Sequence, residues 1–323
     1  MERLLQQVRR TIRRYGLCPP GARVLVGLSG GSDSVALTLL LHELAPALDF
    51  TVAAAAHVNH QLRDTANRDE VFCGALASRL GLPLMTARVD VAAVAREGGC
   101  SIEDAARRVR YDFFAAVAAR VDAARVAVGH TLDDQAETFM LKAARGAGAA
   151  GLGGIYPLRD RVIRPLLEVS RAELREYLRS RGQSWVEDET NADVSNPRNR
   201  VRHDVLPYVE SALGLPARRA MARAAGLLGE DARYLDEVAR ARLAALAAAV
   251  DSRLELDADG LRAEPPALSR RIVLQALRQR ASGKEVGLEH VQAVLDVLDG
   301  LAAGAEVPGA RVELRGKKLV LLQ

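Results

Sequence analysis

The sequence predicts an α/β protein: a parallel sheet flanked by helices, then a mainly helical C-terminal region with a terminal β-hairpin. Three observations predict it. Short apolar runs at Arg23–Leu28, Thr51–Val58, Pro83–Val89 and Arg125–Gly129 alternate with amphipathic helical stretches, the pattern of βαβ units. At 323 residues the chain exceeds one ordinary domain. From Pro207 onward the strand runs give way to Ala/Leu/Arg-rich helix.

Residues 2–15 read as a helix with Leu4, Leu5, Val8 and Ile12 on one face. The first strand ends in a glycine-rich turn, and Ser34–Leu44 reads as the helix that follows. Asp69–Leu80 and Ile102–Ala119 are the helices between the later strands. Right-handed crossovers place helices on both faces of such a sheet. Ser170–Arg181 is a helix with Ser170 as N-cap and Glu173 at the capping-box position. Glu187–Arg202 is polar and turn-rich, Ala239–Val250 reads as helix, and Pro265–Pro266 marks a break. In Ala310–Gln323 the apolar positions Val312, Leu314 and Leu319–Leu322 flank Arg315-Gly316-Lys317, which predicts the hairpin. These readings divide the chain into residues 1–210, a helical linker 211–245, and a small domain 246–323.

Composition narrows the function classes. Apolar residues make up 49% and charged residues 27%, the balance of a globular chain rather than a disordered one. Cys18, Cys73 and Cys100 lie far apart and form no Cys-x-x-Cys pair, zinc pattern or disulfide framework. No apolar run approaches the ~20 residues needed to span a bilayer. The first 14 residues hold five arginines and one acid but lead into a buried-looking strand, so they read as a first helix rather than a transit peptide. A cytoplasmic protein with no membrane partner is expected. Only four of the 45 basic residues are lysines. Arginine suits phosphate and planar-base recognition, although a GC-rich genome produces the same bias.

In an open α/β sheet, ligands bind outside the carboxyl ends of the strands. Three polar clusters follow strands here. The first is Ser29-Gly30-Gly31-Ser32-Asp33-Ser34, between strand and helix. Its glycines let the backbone turn tightly, and the loop amides and helix N-terminus face an anion. It lacks the Gly-Lys-Ser/Thr of a Walker loop. Asp33 would repel a phosphate unless a divalent cation bridges the two, which points to Mg2+-ATP; the bland alternative is a charge that complements the helix dipole.

The second cluster is His57-Val58-Asn59-His60-Gln61-Leu62-Arg63. With nothing nearby to complete a metal site, its histidines read as polar loop residues near a nucleotide. The third runs from Gly129 to Thr138. Asp134 and Glu137 share a helix face, and with Asp133 they put three acids at the ligand edge. Capping is the bland reading, and a metal or amine site is the functional one. Glu103 and Arg107 are spaced for an i,i+4 surface ion pair on the helix that carries Arg110-Tyr111.

Ser29–Ser34 resembles the loop of the N-type ATP pyrophosphatases (the PP-loop superfamily). Adding His57–Arg63, Gly129–Thr138, Arg145-Gly146-Ala147-Gly148, Gly151–Ile155, Arg164-Pro165-Leu166-Leu167, Asp188-Glu189-Thr190-Asn191 and Arg198–His203, the set resembles the tRNA(Ile)-lysidine synthetases. The resemblance runs through roughly the first two-thirds of the chain. It implies an adenine-nucleotide α-hydrolase-like (PP-loop ATPase) domain and a small C-terminal tRNA-binding domain. It also implies a ligase that uses ATP, Mg2+ and L-lysine to convert the wobble cytidine of the CAU-anticodon isoleucine tRNA into lysidine.

By motif position, Ser29, Gly30, Gly31, Ser32, Asp33 and Ser34 would bind ATP, with His57 beside them. Asp33 and Glu137 would lie near the metal, Asp134 would handle lysine with Asp133 as second candidate, and Arg107 would lie near the nucleotide and reacting groups. Arg145, Arg198, Arg200, Arg202, Arg218 and Arg219 are candidates to hold tRNA. Arg198–Arg223 has six arginines against Asp204 and Glu210, a basic hinge where a tRNA backbone would lie. With few aromatics, arginine is the expected platform for the exposed cytidine, with Tyr111 and Trp185 as alternatives. A thiolating PP-loop enzyme and a non-catalytic RNA-binding relative are the competing readings. The apolar C-terminal helices are compatible with a homodimer or with core packing alone.

Overall fold

The computed structural model of the chain describes residues 2–61, 66–187, 196–250 and 253–322. Leu62 and Arg63 of the second motif, and the string Asp188–Asn191, lie outside the described residues. Strands β1 (Ala22–Gly27), β2 (Phe50–Asn59), β3 (Leu84–Arg88), β4 (Arg125–Ala127), β5 (Leu158–Arg159) and β6 (Val162–Ile163) form one sheet in the order β3-β2-β1-β4-β6-β5. All pair in parallel except β5, which is antiparallel to β6 at the edge.

The sheet is buried on both faces, which is why its strands read as continuous apolar runs. Val24 and Val26 of β1 join a core with helices α1 (Glu2–Arg14) and α2 (Ser32–Leu44), through Val8, Ile12, Leu37 and Leu41. Leu174 and Leu178 of a later helix, Arg171–Ser180, complete that core. Leu25 points the other way, into a cluster with Ala54, Val126 and the face Phe114–Ala118 of helix Ile102–Arg120. The strand period of two thus sends neighbouring residues to opposite layers.

Helices α3 (Ala66–Arg79), α4 (Val91–Gly98), α5 (Ile102–Arg120), α6 (Leu132–Ala143), α7 (Ala149–Leu152) and α8 (Arg171–Ser180) follow in order. Then come α9 (Pro197–Arg200), a π-helical turn at Val201–Val205, α10 (Leu206–Leu213) and the long α11 (Ala217–Leu246). Because β2 and β3 lie on one side of β1 and β4 lies on the other, the crevice between β1 and β4 is the topological switch point. Ser29–Ser34 and His130–Glu137 leave its two sides.

The chain divides into two compact units, Met1–Leu228 and Gly229–Gln323. The sequence reading put its boundaries at 210 and 245, whereas this division falls within α11. Val201, Leu206 and Met221 pack with Ala136 and Met140, which ties that segment to the first unit. In the second unit, β7 (Ala247–Val250), β8 (Arg253–Asp257), β9 (Gly304–Val307), β10 (Ala310–Arg315) and β11 (Lys318–Leu322) form an antiparallel sheet ordered β7-β8-β11-β10-β9. The predicted hairpin is β10–β11 within it. Reading Ala239–Val250 as unbroken helix is corrected: α11 stops at Leu246, and Ala247–Val250 pairs with Arg253–Leu256. Tertiary pairing overrides the helical preference of alanine there. Helices α12 (Ala258–Arg262), α13 (Pro266–Arg280) and α14 (Leu288–Leu298) complete the unit, with α13 starting at the predicted proline break.

Candidate active site

Leu28 follows β1 with its amide bonded to Ala56 O, and the chain then turns through Gly30 at φ +91°. That backbone conformation favours glycine. Ser34 Oγ accepts from the Ser29 amide at 3.1 Å and donates to Gly31 O at 3.0 Å, so the loop is closed on itself. Gly31 is the N-cap of α2 and supplies no side-chain cap, which leaves the helix N-terminal amides facing the crevice. Gly129 presses on this turn from β4: a Cβ there would lie 3.1–3.2 Å from the backbone of Asp33 and Ser34. The two ligand-edge loops are therefore in contact.

His57 is buried at the end of β2, with Nδ1 2.9 Å from Leu28 O and 3.4 Å from Cys73 Sγ. Its Nε2 is buried without a hydrogen-bond partner, and an orphaned polar atom beside the loop is what a nucleotide-facing residue presents. Asn59 instead braces the loop through Asn67 and Glu70. Among the described residues no group of three or more His, Cys, Asp and Glu side chains is placed to hold a metal ion by itself.

Helix α6 begins with a full capping box, Thr131 to Asp134. Asp134 Oδ2 accepts from the Thr131 amide at 2.8 Å and from Thr131 Oγ1 at 2.9 Å, so capping accounts for one oxygen only. Its Oδ1 faces the crevice, 2.5 Å from Arg171 Nη2 and 3.1 Å from Arg198 Nη2. Glu137, one turn on, is 1% exposed and accepts from Arg171 Nη1 at 3.0 Å, Arg198 Nε at 2.8 Å and Arg202 Nε at 2.7 Å. Asp33 Oδ2 meets Arg171 Nε at 3.0 Å. Asp133 accepts from the Arg171 amide at 2.8 Å and lies 3.7 Å from Arg218 Nε. The sequence-predicted acids are thus gathered at one place, on a lattice of guanidinium groups.

This lattice sets the acidities. Burial pushes the Asp33 carboxyl up, and neither Arg171 nor the Ser32 hydroxyl offsets it. Burial acts the same way on Asp134, but Arg171 and Arg198 outweigh it and hold that carboxyl far below the carboxylate range. For Glu137, burial is likewise outweighed, by Arg202 and Arg171, and the carboxyl is held down. His130 follows β4 and is pushed down to about 4 by burial, with Arg164, Arg198 and Arg107 adding repulsion.

Arg107 is exposed, and its guanidinium lies 5.0 Å from the centre of the Tyr111 ring. Among the described residues it makes no ion pair with Glu103, so the i,i+4 expectation is corrected: the cation–π contact takes its place. Arg164, buried at 5% exposure, donates to Tyr156 O at 2.7 Å. Gln135 anchors the glycine-rich loop through Ile155, accepting from its amide at 2.7 Å. Trp185 donates to Glu187 with its indole N–H, and Val186 N donates to Gly30 O at 2.9 Å, tying that segment to the phosphate loop.

Of the arginines expected to hold tRNA, Arg198 and Arg202 turn inward onto Glu137. Arg218 pairs with Glu210, and Arg219 with Glu173 at 2.9 Å. Arg145 and Arg200 are exposed. Two of the six hinge arginines, Arg198 and Arg202, therefore neutralise acids inside the site. The π-helical turn widens the backbone where Arg202 sits, and α9 just before it carries Arg198. Arg171 was not anticipated. A helix start after a serine cap gave no sign that its first residue points into the crevice.

The histidines set a pH dependence. His130 and His60 both have folded-state pKa values near 4, below the ordinary value of 6.5. The unfolded chain takes up protons first, so their contribution is complete above pH 6.5 and is lost as pH falls toward 4. The melting temperature is expected to fall by several degrees between pH 6.5 and pH 4.5, and His130→Gln should flatten that slope. An equally steep slope in the variant would remove His130 from the effect.

The family described as PP-loop domain matches residues 2–209. The tRNA(Ile)-lysidine synthase of Dehalococcoides mccartyi (strain CBDB1) is 36% identical over 322 residues, covering 96% of this chain and 67% of that protein. That of Symbiobacterium thermophilum is 41% identical over 295 residues, covering 88% of this chain and 61% of that protein. The chain thus spans between three-fifths and two-thirds of the length of these relatives. Among solved structures, the U34-tRNA thiolase NcsA from Methanococcus maripaludis superposes with a TM-score of 0.58 at 19% identity, covering 71% of this chain and 78% of that one, a likeness of fold.

Proposed function

The chain belongs to the tRNA(Ile)-lysidine synthases of the PP-loop family, and from that premise we propose that it joins lysine to C2 of the wobble cytidine of the CAU-anticodon isoleucine tRNA at the expense of ATP. The single observation that carries the reading is the convergence of Asp33, Asp134 and Glu137 on one crevice beside an open helix N-terminus. A phosphate site and a cation site then lie side by side.

The cytidine O2 attacks the α-phosphate of ATP, and pyrophosphate leaves. The lysine ε-amine then attacks C2 and expels AMP. Loop amides of Ser29–Ser34 and the N-terminus of α2 stabilise charge on the departing pyrophosphate. Asp33 and Glu137 both accept from the Arg171 guanidinium, which brings their oxygens within reach of one cation, and two carboxylates with phosphate oxygens are an ordinary magnesium set. Magnesium bound there would neutralise phosphate charge. Asp134 is held so far below the carboxylate range that it stays charged; it orients the ammonium rather than taking its proton. Only about one lysine amine in 2,500 is neutral at pH 7, so the ammonium that Asp134 orients gives up its proton to solvent or another base before the amine attacks C2.

The cysteines favour this reading over thiolation. Cys18 and Cys73 are buried in the core with their thiols pushed up to about 12 by burial, which leaves little thiolate for sulfur chemistry. A tRNA-modifying reaction also fits a cytoplasmic protein, and among the described residues no helix is long and apolar enough to cross a membrane. The test is pyrophosphate release with an isoleucine tRNA transcript carrying CAU, without lysine. Stoichiometric release with adenylated tRNA accumulating is expected. Release that does not depend on the tRNA would contradict the first step.

A further inference from the structure

We propose that Arg171 is a resident counter-cation: in the free protein it holds the place of the ligand cations, magnesium and the lysine ammonium, and it swings out when they bind. The inference rests on the reading of the acids given above and deepens it. Each nitrogen of the Arg171 guanidinium meets a different carboxylate: Nε with Asp33 at 3.0 Å, Nη1 with Glu137 at 3.0 Å and Nη2 with Asp134 at 2.5 Å. Arg198 stays on Asp134 Oδ1, and Arg198 and Arg202 stay on Glu137, so what Arg171 withholds from a ligand cation is Asp33 Oδ2 and one acceptor position each on Asp134 Oδ1 and Glu137 Oε1. Asp134 leaves no alternative, because Oδ2 is taken by the Thr131 amide and hydroxyl. Among the described residues, Arg171 is also the cation paired with Asp33.

The backbone lets the side chain leave without unravelling its helix. Ser170 and Glu173 form a capping box at the start of α8, and Asp133 accepts the Arg171 amide at 2.8 Å. These contacts use main chain and cap and do not depend on where the guanidinium lies. A long, unbranched side chain at the first helical position can therefore exchange three carboxylates for solvent or for nucleotide phosphates. The cost of the exchange is subtracted from the affinity of whatever cation replaces it. This competition weakens the site toward cations that arrive alone.

The test compares the full-length native chain with Arg171→Gln, with Mn2+ as the spectroscopic probe of the divalent site and isotope-labelled L-lysine in equilibrium dialysis, both without tRNA. The expected result is that Arg171→Gln binds Mn2+ and lysine about tenfold more tightly or better, the scale of one charge-assisted bond set no longer competing. Its melting temperature without ligand should be lower than that of the native chain, and Mn2+ should raise it by a larger margin. A supporting role for Arg171 that is merely structural predicts the opposite sign, weaker binding in the variant. Equal or weaker Mn2+ binding by Arg171→Gln overturns the proposal. Arg171→Lys covers the case of a variant that does not fold: one ammonium cannot reach three acids, so it should bind Mn2+ severalfold more tightly than native, and binding no tighter overturns the proposal equally. If Mn2+ binding tightens while lysine binds neither protein, Arg171 is the place-holder of the divalent site, and it is the lysine reading of the preceding section that fails.

Discussion

Asp33→Asn is expected to reduce turnover by about a thousandfold or more while leaving the melting temperature unchanged or slightly raised. The substitution keeps shape and hydrogen-bonding capacity but removes a charge. The fold disfavours that charge, since burial pushes the carboxyl up and neighbouring Asp134 adds repulsion. Groups whose acidity burial shifts this way cluster at functional sites. On the proposed reaction, Asp33 next to the phosphate loop would balance a cation on the departing pyrophosphate. Losing such stabilisation in the transition state typically costs about 10²–10³ per group, and metal affinity would fall with it. Binding of tRNA, measured by filter retention, should change little. A variant with native turnover would remove Asp33 from the site. One that unfolds would show that its charge is structural.

Glu137→Gln should behave in the opposite way and cost stability as well as activity. Glu137 is 1% exposed and receives Arg171, Arg198 and Arg202. Removing its charge leaves three guanidinium groups around a neutral amide that cannot balance them. Breaking a buried ion pair by removing one partner costs about 3–5 kcal/mol. Denaturant unfolding at pH 7 should show a loss of that order, with turnover below detection. Because Arg202 and Arg171 hold the native carboxyl down, its contribution is present above the unfolded-state carboxyl pKa and is lost as pH falls through the lower folded value. The gap between native protein and variant should therefore close below pH 4. A loss under about 1 kcal/mol at pH 7 would mean that Arg171, Arg198 and Arg202 are balanced elsewhere.

The contrast between Asp33 and Glu137 could not have been read from the sequence, which presented both simply as candidate metal acids. What was legible was local. Strand, glycine turn and helix announce Ser29–Ser34, and the i,i+3 spacing announces that Asp134 and Glu137 share a face. Ser170 and Glu173 announce a capping box. The rest depends on contacts between segments far apart in the chain. Arg198 and Arg202 look like an RNA-facing basic run, because a sequence does not say which way a guanidinium points. The π-helical turn, which places Arg202 against an acid 65 residues away, has no sequence mark. Arg171 was masked by its own helix start. Two-residue strands such as β5 and β6 are too short for any periodicity, and Ala247–Val250 forms a strand only because β8 pairs with it.

Incorporation of labelled lysine into two transcripts that share the CAU anticodon, an isoleucine tRNA and a methionine tRNA, with ATP, magnesium and the full chain, tests the proposed reaction. Lysine is expected in the isoleucine transcript at the wobble cytidine, with one AMP and one pyrophosphate formed for each lysine joined. No incorporation into that transcript, from protein that binds ATP and tRNA, would contradict that reaction.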